Sequence, residues 1–185
     1  MPPKGVPLPL THLSLTHLSE EDLLLRNTVR RFAREQIQPL VREMDDAALL
    51  SKPLLKQLFA LGLMGIEIPE NYGGGAGTFF ESILAIEEIS RVDPSAGVLV
   101  DVQNTLVNNA LLRWGNEEQK RQYLPRMAQN TVGAYALSEA GSGSDAFAMQ
   151  TRAELYDTIG LHDYEALDRS IVQTIIPQSM PQREK

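Results

Sequence analysis

Apolar positions recur at helical spacing from Ser19 onward. In "EEDLLLRNTVRRFAREQIQPLVREMDD", Leu25, Val29, Phe32, Ile37, Leu40 and Met44 fall near one face, which predicts a helix with that face buried. Ser19 can cap it, and the early acids suit the positive end of the helix dipole. Pro39 lies inside the pattern and is expected to kink or break it, because proline lacks the amide donor and crowds the preceding turn. Ser51 and Pro53 open a short second helix carrying Leu54, Leu55, Leu58 and Phe59, ended by Gly62 or Gly65. A third helix is predicted from about Thr78 to Val92. Asp93 and Pro94 suit the cap and first residue of a fourth, which runs to about Trp114 and stops at Gly115. Asn116 caps a fifth, "EEQKRQYLPRMAQ", with acids first and bases later. The pattern predicts a mainly α block over 19–130.

After Asn130 the period changes. "VGAYALSE" is short, rich in small and apolar residues and bounded by turn signals, so it is predicted to be a strand, with "AFAMQTRAE" as a second. Between them, Gly141 and Gly143 permit positive φ and close backbone approach to a ligand, and Ser138, Ser142 and Ser144 supply hydroxyls. A cofactor loop and an ordinary glycine-rich hairpin share these features, so the residues alone leave both open. The other glycine-rich segment, "EIPENYGGGAG", lacks GxGxxG spacing and has no βαβ unit around it. It is expected to be a conformationally demanding connector.

Composition narrows the chemistry. The 185 residues hold 24 acidic and 17 basic side chains, a net charge of −7, which offers no general attraction to nucleic acid or anionic membranes. The sequence contains no cysteine, so disulfides and thiolate chemistry are excluded. His12, His17 and His162 are scattered, and neither HExxH nor GxxxxGK occurs. No apolar run approaches the ~20 residues of a membrane-spanning helix. The N-terminal stretch 1–18 is proline-rich, repeats "LTHLS" and carries Lys4 as its one charged residue. It is expected to be a disordered leader, with a remnant of a mitochondrial transit segment as the alternative.

Motifs then point to a family. "ALSEAGSGSDAFA", from Ala136 to Ala148, resembles the flavin-contact signature of the acyl-CoA dehydrogenases. "GLMGIEIPENYGGGAG", "IEEISRVDPSAGV" and "VQNTLVNNALLRWGNEEQKRQYLP" occur in the family's order and spacing, and "VQNTL" with "GLMGIE" most resembles the short/branched-chain (2-methyl-acyl-CoA) type. The resemblance covers about Leu18 to Glu154. It implies the family's N-terminal helical domain over 19–130 and the start of its middle β-domain, with the first strands and the flavin loop, over 131–153. It also implies FAD as cofactor, contacted by Tyr135, Ala136, Leu137, Ser138, Glu139, Ala140, Gly141, Ser142, Gly143 and Ser144. Amides near Leu137 and Ser138 would face the polar edge of the ring, the Ser138 hydroxyl would contact the flavin, and Ser144 would touch the thioester part of the acyl-CoA. Electron-transfer flavoprotein as partner, a homo-oligomer in the complete form, and a mitochondrial-matrix role in fatty-acid or branched-chain amino-acid catabolism are implied as well.

From 154 to 185 the sequence, "LYDTIGLHDYEALDRSIVQTIIPQSMPQREK" after Glu154, does not align with the family. Further barrel strands and the C-terminal helical domain bearing the catalytic glutamate are expected to be missing, so no catalytic residue is assigned. Glu139, Glu87 and Glu88 are expected to be structural, the first shaping the loop and the other two solvated or ion-paired. The expectation is an acyl-CoA dehydrogenase-like flavoprotein fragment, inactive alone. The alternative is a non-catalytic helical protein that binds a full-length dehydrogenase.

Overall fold

The structure is a computed structural model and describes residues 18–150. Nearly all of the expected leader and the tail over 154–185 lie outside the described residues.

The predicted helices form where their caps place them. Helix α1 (Glu20–Phe32) opens with a reciprocal cap. Ser19 Oγ accepts the Asp22 amide at 3.0 Å and the Asp22 carboxylate accepts the Ser19 amide at 2.9 Å, which satisfies two donors that a helix end otherwise leaves bare. Beyond Phe32 the coil widens to π winding over Ala33–Ile37 and tightens to 3₁₀ over Gln38–Leu40 before resuming as α2 (Val41–Ala47). Pro39 therefore changes the winding without ending the coil, because a residue with no N–H fits where the α ladder is already interrupted. Ser51 caps α3 (Lys52–Ala60), and Gly62 follows its last turn at φ +74°.

Thr78 and Glu81 form a second reciprocal cap on α4 (Phe79–Ser90). Asp93 caps α5 (Pro94–Asp101) by accepting the Ser95 amide at 2.9 Å. The expected fourth helix is continuous but widens to π winding over Val102–Asn108 before α6 (Asn109–Trp114). A third reciprocal cap, Asn116 with Gln119, starts α7 (Glu117–Gln129). Among the described residues no helix is long and apolar enough to cross a membrane.

Two apolar clusters hold the block together. The larger gathers Val29, Phe32, Ile37 and Met44 from the first coil with Leu54, Leu58, Met64, Ile89 and Val100. Leu25 and Leu40, expected on the same face, pack half-buried at its edge. The smaller joins Ile68, Val107, Leu111, Leu124 and Met127. Both flank the widened segment, which carries three buried amide side chains. Asn104 donates to the carbonyls of Leu63 at 2.8 Å and Val100 at 2.9 Å and accepts the Ile66 amide at 2.9 Å. Asn108 donates to Met64 O at 2.9 Å. Gln103 donates to Met127 O at 3.1 Å and Thr131 O at 3.0 Å and accepts the Gly133 amide at 2.8 Å.

The connector after α3 is as constrained as its composition implies. Gly75, Ala76 and Gly77 return along the chain and donate to Gly65, Ile68 and Ile66 carbonyls. A Cβ on Gly74 would lie 2.1 Å from Ile68 O, so backbone approaches backbone too closely there for any side chain. Ala76 adopts φ +50°, a left-handed conformation that costs an L-residue about 1 kcal/mol.

A charged ion-pair partner is sealed into the block. Glu88 on α4 is 2% exposed, and both its oxygens accept from Arg30 on α1, from Nε and Nη2, at 2.7 Å. Hydrogen bonding from Arg30 holds the Glu88 carboxyl below the usual carboxylate range, against a smaller opposing effect of burial. Glu87, also expected to be ion-paired, meets Arg91 at 2.5 Å on the exposed face of α4.

The predicted strands are not realised among the described residues. The chain over 131–138 is irregular and without a ladder, and Ala146–Ala148 forms a 3₁₀ turn where the second strand was expected. Strand structure is pairwise: the local sequence favours an extended chain, but only a neighbour can take up its N–H and C=O groups.

Two outcomes follow. Replacing Gln103 by Leu leaves the Gly133 amide and two carbonyls unpaired in the core, so urea unfolding should show a loss of about 3 kcal/mol and Gly133 should lose hydrogen-exchange protection first. Glu88→Gln should destabilise by about 1.5–3 kcal/mol at pH 7. Because the folded carboxyl titrates below its unfolded value, the pair's contribution is fully present above the unfolded pKa of about 4.3 and is lost as pH falls from there through the lower folded value. The difference between wild type and variant should therefore shrink below about pH 4.

Candidate functional site

The loop expected to contact a cofactor leaves the helical block at one fixed point. Gln103 holds Thr131 and Gly133, and Gly133 lies so close to α6's approach that a Cβ there would sit 2.4 Å from Val107 Cγ1. Only glycine fits this exit. From Ala134 to Ser138 the chain then runs exposed, and its amides form no hydrogen bond within the described residues.

A two-residue turn follows. Glu139 and Ser142 exchange both backbone hydrogen bonds, at 2.9 and 3.1 Å, with Ala140 and Gly141 at the tip. Ser142 is 2% exposed and its hydroxyl donates to Asp145 O at 2.6 Å. The Glu139 carboxylate accepts the Gln150 amide at 2.8 Å, which ties the two ends of the loop together. Two side chains in the predicted set, Ser142 and Glu139, thus take part in hydrogen bonds within the loop. Ser138 and Ser144 are exposed, with hydroxyls that make no hydrogen bond to the described residues.

The glycines correct one expectation. Neither Gly141 nor Gly143 adopts a positive φ, so backbone conformation does not require glycine at either position. Nothing lies within 4 Å of a Cβ built on either, so the chain's own packing does not require it. What remains is open space over a run of unpaired donors, flanked by the exposed apolar surface of Tyr135, Leu137, Phe147 and Met149. Neutral N–H and O–H donors beside apolar surface suit a planar, polar-edged ring such as the flavin of FAD. The Glu139 carboxylate is engaged with the Gln150 amide.

The amides of Gln103, Asn104 and Asn108 were not predicted as structural anchors. The available signal was four amides, Gln103, Asn104, Asn108 and Asn109, in the largely apolar helical pattern "VLVDVQNTLVNNALL", where buried polar side chains are out of place unless each has a partner. A group of His, Cys, Asp and Glu able to hold a metal is absent among the described residues.

Comparisons with known proteins agree with this architecture. The family described as acyl-CoA dehydrogenase, N-terminal domain, matches residues 19–131. A probable short/branched chain specific acyl-CoA dehydrogenase of Dictyostelium discoideum is 55% identical over 139 residues, which is 75% of this chain and 34% of that protein. The mitochondrial short/branched chain specific acyl-CoA dehydrogenase of Bos taurus is 44% identical over 140 residues, covering 76% of this chain and 32% of the bovine one. Among solved structures, a glutaryl-CoA dehydrogenase of Mycobacterium smegmatis in complex with FADH2 superposes with a TM-score of 0.68 at 31% identity, over 74% of this chain and 35% of that one. The chain spans about a third of the length of the curated relatives it matches. With the N-terminal-domain match spanning the whole helical block, from the Ser19 cap to the Thr131 anchor, the chain belongs to the acyl-CoA dehydrogenase family.

Proposed function

We propose that Tyr135–Ser144 is the flavin-contact loop of an FAD-dependent dehydrogenase that introduces a double bond into short or branched acyl-CoA. The observation that carries this reading is the run of exposed amides over 134–138, without a hydrogen bond among the described residues, together with the exposed Ser138 and Ser144 hydroxyls, on a chain anchored at Gly133 by Gln103 and whose relatives are named for that substrate class. FAD, when bound, would supply the hydride acceptor.

The chain's own residues then act by holding and polarising. Amides of Leu137 and Ser138 would hold the ring's polar edge, where neutral N–H donors favour negative charge. The Ser138 hydroxyl adds a third donor. Ser144 contacts the thioester portion of the acyl-CoA. Ser142 and Glu139 keep the turn closed so that these donors keep a common orientation. In this reading neither Glu88, held ionised and sealed by Arg30, nor Glu139, bonded to the Gln150 amide, abstracts the α-proton. Resemblance to the family puts the base in a region outside the matched segment. Electron-transfer flavoprotein as acceptor, a homo-oligomeric complete form and a mitochondrial setting accompany this reading.

The test is a hybrid. Residues 19–144 replace the matching segment of a short/branched-chain dehydrogenase, which should purify yellow and oxidise 2-methylbutyryl-CoA. In the hybrid, Ser138→Ala should weaken FAD binding about tenfold, equivalent to about 1.4 kcal/mol. A hybrid with full helical content by circular dichroism but no flavin would sink the proposal. The 185-residue chain alone should give no electron-acceptor reduction with butyryl-CoA or 2-methylbutyryl-CoA. Steady turnover would show that a base had been overlooked.

A further inference from the structure

We infer that the concavity between α1 and α4 is a binding site for a small phosphate-class oxyanion, a function separate from the flavin reading. A cavity of about 250 Å³ is lined there by Arg30, Arg34, Gln38, Glu88, Arg91 and Val92. Arg26, one turn before Arg30, also acts electrostatically on Glu88. Arg26, Arg30 and Arg34 thus recur at four-residue steps on one side of the first coil, and like charges at that spacing repel.

The carboxylates at hand do not neutralise this group. Glu88 is the one acidic residue lining the cavity, and Arg30 occupies both its oxygens at 2.7 Å, with Arg91 Nη1 at 3.8 Å. Arg91 is further paired with Glu87. Arg34 has no ion pair or hydrogen bond among the described residues. Arg26 has none either, and its Nε is buried without an acceptor. Four guanidinium groups therefore share two carboxylates, a surplus of positive charge in a chain of net charge −7.

The chemistry of the surplus selects the ligand. Guanidinium groups are donors only, so exposed Arg34 and Arg91 can bind an acceptor from solution but cannot supply one to each other. A neutral ligand would leave the repulsion in place. A carboxylate has two oxygens, which one arginine fork satisfies. A phosphate group offers at least three, enough for Arg34, Arg91 and the Gln38 amide together, and carries between one and two negative charges at neutral pH.

Isothermal titration calorimetry of the 185-residue chain with inorganic phosphate tests the site, at fixed ionic strength in chloride, with acetate in parallel. Saturable one-to-one binding is expected for phosphate and not for acetate. Arg34→Gln should weaken it about tenfold, whereas Arg31→Gln, the same charge change on an exposed residue outside the cavity, should leave it unchanged. Gln38→Ala, which alters no charge, gives a second variant should Arg34→Gln lose helical content. A parallel titration with glycerol phosphate separates free phosphate from a phosphomonoester as the natural source, and saturable, Arg34-dependent binding of either supports the site. Absence of saturation, equal binding of acetate, or equal weakening by Arg31→Gln overturns it.

Discussion

Gln103, Asn104 and Asn108 occupy positions where an ordinary amphipathic helix would place aliphatic side chains, and distant main-chain groups pair all of their buried polar atoms except Asn108 Oδ1, which has no partner among the described residues. A buried primary amide is costly unless its donors and acceptor find partners. Here the partners are main-chain groups of segments that have no regular structure of their own: the turn at Leu63 to Ile66, and the exit at Thr131 to Gly133. Side chains from one helical segment thereby replace the hydrogen bonds that a sheet would have provided. The π winding of Val102–Asn108 belongs to the same arrangement, since it accompanies the amides that point into both clusters.

This anchoring positions a loop that has few other contacts. Beyond Gly133 almost nothing in the described residues touches the chain, yet its start is held by Gln103 and its turn is closed by Ser142 and Glu139. Donors that remain unpaired on a positioned loop are ready for a ligand without having to break internal hydrogen bonds first. The connector from Gly65 to Gly77 shows the opposite use of glycine. There the absent Cβ is required by backbone packing against Ile68, whereas Gly141 and Gly143 face open space. Glycine content is the same kind of signal in both segments, and packing distinguishes their roles.

Electrostatics divides the first coil into two functions. Its apolar side joins the core, while its arginine side faces α4, where Arg30 closes on Glu88. That pair fastens two helices far apart in sequence, and its charge is largely hidden from water on the glutamate side. The neighbouring arginines are not absorbed by it, which leaves a charged concavity beside a well-packed core.

Much of the helical block was legible because its determinants are local. Ser19, Thr78, Asp93 and Asn116 each cap the helix that their position announces, and the spacing of Val29, Phe32, Ile37 and Met44 marks the face that is buried. Such signals act within a few residues, so sequence suffices to define helix starts, the connector's strain and the family motif at Ala136 to Ala148. Three features were decided only by tertiary structure. Local composition favoured strands after Asn130, but a ladder needs a neighbour. The sequence showed that Glu88 could be ion-paired, but its burial under Arg30 depends on how α1 crosses α4. The amides of Gln103, Asn104 and Asn108 read as polar interruptions until the carbonyls they bind, between 4 and 44 residues away, are brought beside them. Caps and periodicity are short-range interactions that the sequence itself determined. Hydrogen bonds and ion pairs between distant segments exist only once the chain has packed, because packing supplies both the partner and the exclusion of water that makes the partner necessary.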